Sequence, residues 1–223
     1  MILRTRILKQ NARVQLRQST MKTVYKIWLS CLIFLISLNI SKAQTKERLD
    51  TTFKDGDVVF IKNKKLIGNS LVPNGKTDFN YVGVVFIENG VPMVYHATEP
   101  VSSCNIDEFI GMSVGKNYKI RRLFEQELLT KDVVATMRSF AKAKLQTHYD
   151  NKLTLNNDEL YNAEFVYKMY QSCLGIPLTK PKVLSAYKNE TTSLDFLKEA
   201  YGDAIMNEKL IVIGDIYHSE FLE

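Results

Sequence analysis

The sequence predicts an α+β domain with a mainly antiparallel sheet packed against helices. Two observations carry this. β-Branched, alternating segments come first, between residues 57 and 123. Segments with apolar residues at helical spacing follow, from Thr130 to about Tyr201. Strands grouped ahead of helices make a sheet of hairpins with helices laid against it.

The elements follow in order. "DVVFIK" (57–62) alternates and is β-branched, so it reads as a strand. The polar stretch Asn63–Asp78, with Gly68, Pro73 and Gly75, reads as a loop. "YVGVVFIENGVPMVYHA" reads as two strands around Asn89-Gly90, the strongest short hairpin signal. "NIDEFI" is one helical turn capped by Asn105, and "NYKIRRL" (117–123) is a further strand. Cys104 is placed in the loop after the second strand of the hairpin. Thr130 caps a helix whose apolar positions are Val133, Val134, Met137, Phe140, Ala141 and Leu145. "HYDNKLTLNN" (148–157) is irregular. The next helix buries Tyr161, Phe165, Val166, Met169 and Cys173 and stops at Gly175 and Pro177. Thr192 caps a last helix to about Tyr201, and "KLIVIGDI" reads as a short strand or extended tail.

The first 43 residues differ from the rest, with eight basic residues and no acidic one. From Met21, the residues Lys22 and Lys26 precede the apolar run Ile27–Ile40, and "SKA" precedes Gln44. This is the layout of a secretory signal peptide over residues 21–43. The apolar run has 14 residues, short of the roughly 20 a bilayer needs, so no permanent membrane anchor is expected. Residues 1–20 read as a start codon assigned too early, with a basic extension as the alternative. Cleavage near Ala43 leaves residues 44–223 as a single domain, periplasmic or secreted. The whole chain carries a net +6, but residues 44–223 hold 22 basic and 24 acidic residues, a net of −2. The basic balance belongs to the leader, and no nucleic-acid partner is expected. Cys104 and Cys173, the two cysteines beyond residue 43, are too few for a disulfide framework.

One position asks for a chemical explanation. Asn162 stands one step inside the N-terminus of its helix, where an amide competes for backbone hydrogen bonds. Around it, "DGDVVF", "NYVGVVF", "VYHATEPV", "YKIRRL", "HYD", "LYNAEFVYKMY" and "YGDAIMNEKLIVIGDIY" occur in that order. The set resembles the YiiX/YebB-like family of circularly permuted papain-like proteins, relatives of bacterial cell-wall cysteine peptidases. The resemblance covers nearly all of 53–220. It implies a permuted papain-like fold whose site lies where sheet and helix N-terminus meet.

In that family a strand histidine is the base, a polar residue on the next strand orients it, and a cysteine at the helix start is the nucleophile. A thiolate forms readily at a helix N-terminus beside an imidazole. Laid onto this sequence, the base position is Tyr81, the orienting position is His96 and the nucleophile position is Asn162. None keeps the family residue, while Gly83, Tyr161 and Glu164 match. The expectation is a catalytically degenerate domain. It keeps a cleft for a peptide, cell-wall fragment or acyl-amide, with Asn80, Tyr161 and Glu164 as cleft candidates. The alternatives are an active cysteine-type amidohydrolase with a rewired site, and a scaffold with no ligand.

Rewiring has limited material. Cys173 lies roughly 16 Å along the helix axis from Asn162 and reads as core. Cys104 is expected outside hydrogen-bond reach of His96, and His96 is expected to be bonded to Tyr81. His148 and His218 are scattered, so neither a metal site nor a cofactor is expected. Asp55 and Asp57 flank Gly56 as turn chemistry, and Lys62, Lys64 and Lys65 read as a solvated loop.

Overall fold

The computed structural model describes residues 53–66, 77–187 and 191–223. The start-site, signal-peptide and cleavage expectations and most of the 63–78 loop lie outside the described residues, as do the side chains at the start of the last long helix, Thr192 among them.

The main sheet has five strands: β1 (Val58–Asn63), β2 (Tyr81–Glu88), β3 (Val91–His96), β4 (Ser102–Asn105) and β5 (Ser113–Arg121). Their spatial order is β4-β3-β2-β1-β5, and every neighbouring pair is antiparallel. Asn89 and Gly90 turn the β2–β3 hairpin with φ of 51° and 72°. These positive values suit the primed turns that match strand twist, which is why Asn-Gly stands there.

Strand alternation sorts the apolar residues into two cores. One face presents Val58, Phe60, Val82, Val84, Phe86 and Tyr95 to the larger core. Over it lie α2 (Lys131–Ala143), with Met137 and Ala141 buried, and α3 (Asn162–Leu174), with Phe165, Val166 and Met169 buried. The other face presents Val59, Ile61, Tyr81, Val85 and Val94. There α1 (Ile106–Gly111) inserts Ile106 and Phe109. The short helix is anchored by Asn105, whose Oδ1 accepts the Glu108 N–H at 2.9 Å. Thr130 caps α2 through Val133 N–H at 3.3 Å, and α3 ends at Gly175 with φ of 70°.

Beyond α3 come α4 (Thr191–Tyr201), a two-stranded ribbon of β6 (Lys182–Val183) with β7 (Lys209–Leu210), and α5 (Ile213–Tyr217). Leu49–Glu223 forms one compact unit. Among the described residues no helix is long and apolar enough to cross a membrane.

Three expectations are corrected. Ser102–Asn105 is not loop but the edge strand β4, paired so that Cys104 faces Val94 and Ser102 faces His96. Pairing with a neighbouring strand overrides the weak β-propensity of Ser-Ser-Cys-Asn. The tail "KLIVIGDI" is extended only at β7, and from Ile213 it closes into α5. A short apolar run fully buried in the core carries no periodicity that separates strand from helix. Strand β5 begins at Ser113 rather than Asn117.

Candidate functional site

The site grows out of the β2–β3 pairing. Tyr81 opens β2 and His96 closes β3, and alternation turns both toward the face covered by α1. Gly83 lets the strands meet there. A Cβ on it would stand 2.5 Å from Val94 Cγ1 and 3.0 Å from Tyr95 O, closer than packed atoms tolerate. The phenol of Tyr81 lies 2.8 Å from His96 Nδ1 and donates toward Ala97 O at 3.1 Å. Phe109 closes the group from α1, stacked on Tyr81 with ring centroids 5.7 Å apart and edge-on to His96 at 5.3 Å.

Contrary to expectation, the other imidazole nitrogen reaches Cys104. Sγ lies 3.4 Å from His96 Nε2. The cause is β4, whose pairing turns Cys104 to the same face as His96 and brings a residue assigned to a loop into the site. Tyr81, His96 and Cys104 thus form one hydrogen-bonded chain. Two proton arrangements satisfy it. If the Tyr81 hydroxyl donates to Ala97 O, Nδ1–H donates to the phenol oxygen and Nε2 accepts from the thiol. If the hydroxyl donates to Nδ1, Nε2–H points at sulfur.

Burial sets the electrostatics. His96 is 2 % exposed, and desolvation lowers its pKa to about 4. Desolvation, aided by Glu108, pushes the Cys104 thiol up to about 11. Tyr81 is raised well above the ordinary phenol range by burial, then by Tyr149 and Cys104. At neutral pH the chain therefore holds a hydroxyl, a neutral imidazole and a thiol, not a thiolate–imidazolium pair.

Asn162 occupies the first residue of α3, as the sequence predicts. Its Oδ1 accepts the Ala163 N–H at 2.7 Å, and among the described residues no hydrogen bond joins it to Tyr81, His96 or Cys104. The three cleft candidates have backbone duties. Asn80 grips Asn63, accepting its N–H at 2.6 Å and donating to its carbonyl at 3.3 Å. The Tyr161 hydroxyl accepts the Ile211 N–H at 2.8 Å. Glu164 accepts the Tyr161 N–H at 3.2 Å and pairs with Lys168 at 2.8 Å. Desolvation outweighs Lys168 and lifts the Glu164 carboxyl to about 7.

Sequence reasoning did not find two contributors. Phe109 stood in the sequence only as part of the helical turn "NIDEFI". Asp150, fully buried, accepts the N–H groups of Lys152, Leu153 and Thr154 and shapes the loop before α3. Its signal was "HYD", read there as part of a motif rather than as a loop anchor. Asp57 is also more than turn chemistry: it is fully buried and holds Arg122 through two hydrogen bonds of 2.6 and 2.7 Å. Cys173 is partly buried against the larger core, and both described cysteines are free thiols. His148 is exposed and pairs with Glu99 at 2.8 Å.

The chain resembles the uncharacterized protein YiiX of Escherichia coli K12, with 26 % identity over 158 residues, or 70 % of this chain and 77 % of that one. Its fold matches the crystal structure of YiiX from Escherichia coli O157:H7 with a TM-score of 0.69 and 23 % identity, covering 76 % of this chain and 94 % of the other. That YiiX is described as a metalloprotein. Among the described residues here, no three His, Cys, Asp or Glu side chains group closely enough to hold a metal ion. The model of the permuted papain-like amidases matches residues 52–208 and agrees with the sheet-and-helix architecture, and the chain belongs to that family, YaeF/YiiX, C92.

Proposed function

We propose that this is an exported member of the family that binds an amide-bearing ligand (a peptide, cell-wall fragment or acyl-amide) without hydrolysing it. The observation that carries the reading is Asn162. At the helix start where the family's nucleophile stands, this chain has an uncharged amide whose oxygen is turned onto Ala163 N–H. No thiol is present there to attack a carbonyl. The base position offers a phenol held protonated by burial, so it accepts no proton at neutral pH. The leader over residues 21–43 supports export.

The test pairs binding with turnover. Muropeptide digests and N-acyl amides are titrated against the protein secreted with its leader, and hydrolysis is followed in parallel. Saturable binding with no turnover supports the reading, and so does a mature N-terminus near Gln44.

The 3.4 Å approach of Cys104 to His96 favours a second reading, an amidohydrolase rewired onto Cys104 as nucleophile with His96 as base and Tyr81 holding the imidazole. It ranks second because burial keeps both reacting groups neutral. Turnover that survives Asn162→Ala and is abolished by Cys104→Ala would establish it over the first.

A further inference from the structure

A separate concavity lies at the other end of the β1–β2 pair. Tyr81 pairs with Ile61, whereas Asp57 and Val85 mark the far end, about 13 Å along the strands. There the turn before β1, the chain following β5 and the first turns of α2 enclose a cavity of about 430 Å³. Lys54, Arg122, Lys131 and Arg138 line it, with Asp55 as the one carboxylate among the lining residues.

The acids nearby are already committed. Asp57 holds Arg122 from beneath at 2.6 Å. Asp55 accepts the Ile87 N–H and a bond from Arg138, both at 2.8 Å. Glu88 lies 3.9 Å from Arg138 and 3.0 Å from Lys142. Glu223, close to Arg122, accepts from Gln126 at 3.3 Å. These contacts fix both guanidinium groups in place and leave two lysines without an ion pair among the described residues. Lys54 donates to the neutral Gln126 amide at 3.1 Å, and Lys131 makes no ion pair among the described residues. Lys131 is also the first residue of α2, where the helix dipole disfavours a cation. Arg138 Nε is shielded from solvent without a hydrogen bond. Four cations line the cavity against one carboxylate, so an anion placed there would gain a partner in each lysine.

We propose that this cavity binds a phosphate group, free or carried as a monoester. Two lysines without an ion pair suit the charge of about −1.5 to −2 that a phosphate monoester holds at neutral pH. Prefixed guanidinium groups and the positive end of α2 suit its tetrahedral oxygens. The proposal is independent of the fate of amide chemistry near Asn162.

The test is titration of the intact protein with inorganic phosphate and with glycerol 3-phosphate, at constant ionic strength, by calorimetry. Saturable binding of at least one is expected, and the tighter of the two identifies the source as free phosphate or ester. Lys54→Gln with Lys131→Gln should weaken binding at least about tenfold, since each charge-assisted contact contributes more than a neutral one. Neither lysine carries an ion pair among the described residues, and Lys131 opposes the helix dipole, so the melting temperature without phosphate should not fall. Lys119→Gln on β5 removes one positive charge away from the cavity and should leave affinity intact. Absence of saturable binding by either probe overturns the proposal, as does equal affinity in the double variant, or equal weakening by Lys119→Gln.

Discussion

The Tyr81 hydroxyl and His96 Nδ1 meet at 2.8 Å beneath the ring of Phe109. These are the two positions that the sequence resemblance matched to a base and its orienting residue, and the imidazole sits on the second of them. Removing the hydroxyl by Tyr81→Phe leaves His96 Nδ1 and Ala97 O without their partner in a dry site. The expected loss is about 1–3 kcal/mol of unfolding free energy, read by urea denaturation. Nitrogen chemical shifts of His96 should move at the same time, because its tautomer is set by that bond. An unchanged tautomer would mean that the bond does not hold the ring.

Cys104 should behave as a shielded thiol. With its pKa pushed up to about 11, alkylation by iodoacetamide should be slow at pH 7 and rise steadily into the alkaline range. A plateau of reactivity near pH 6 would instead reveal a thiolate stabilised by His96, and would favour the rewired hydrolase.

Restoring the family residues tests whether the helix start remains competent. Asn162→Cys with Tyr81→His and His96→Glu places a thiol at the first residue of α3 and an imidazole–carboxylate pair on positions already in contact. The new thiol should be alkylated faster than Cys104 at mildly acidic pH. Turnover is a stricter demand, because about 1 Å of misplacement can reduce rate 100-fold. A thiol at 162 no more reactive than Cys104 would show that the helix start no longer lowers a pKa.

Acid stability should carry two opposing contributions. His96, lowered from 6.5 to about 4, binds fewer protons folded than unfolded, so its contribution is lost as pH falls through that window. Glu164, raised from 4.5 to about 7, binds more protons folded, so its contribution is lost as pH rises through that window. Each amounts to roughly 3 kcal/mol, and between pH 4.5 and 6.5 they nearly cancel. Glu164→Gln keeps an acceptor for Tyr161 N–H and removes one of the pair. Its stability relative to the parent should grow by about 3 kcal/mol from pH 4.5 to 7.5, measured by denaturation at each pH. A flat difference would show that Glu164 does not titrate in that range.

Local chemistry made much of this fold legible. Asn89-Gly90, Asn105, Thr130 and Gly175 each act through their own neighbours, so their turn, caps and stop could be read without the rest of the chain. The position of Asn162 at a helix start was legible for the same reason. Ser102–Asn105 was not, because nothing in those four residues demands a strand; β3 imposes it. The approach of Cys104 to His96 follows from that register, and a distance set by two paired strands is invisible in either one alone. The α5 turn was missed for a related reason. Ile211, Val212 and Ile213 are all buried, and complete burial erases the polar positions from which a period is read.

Strand β5 closes the sheet opposite β4, and its nine residues are mostly exposed. An edge of that length is a template on which a second molecule could continue the sheet. The strand carries Lys116 and Lys119 and ends at Arg121, while Gly115 and Lys116 take positive φ of 63° and 56°. Stacked copies would bring those charges together, and the left-handed pair bends the edge out of line. Both features oppose such stacking, and Lys119→Val, which removes one charge and leaves the bend, should raise self-association along this edge only modestly.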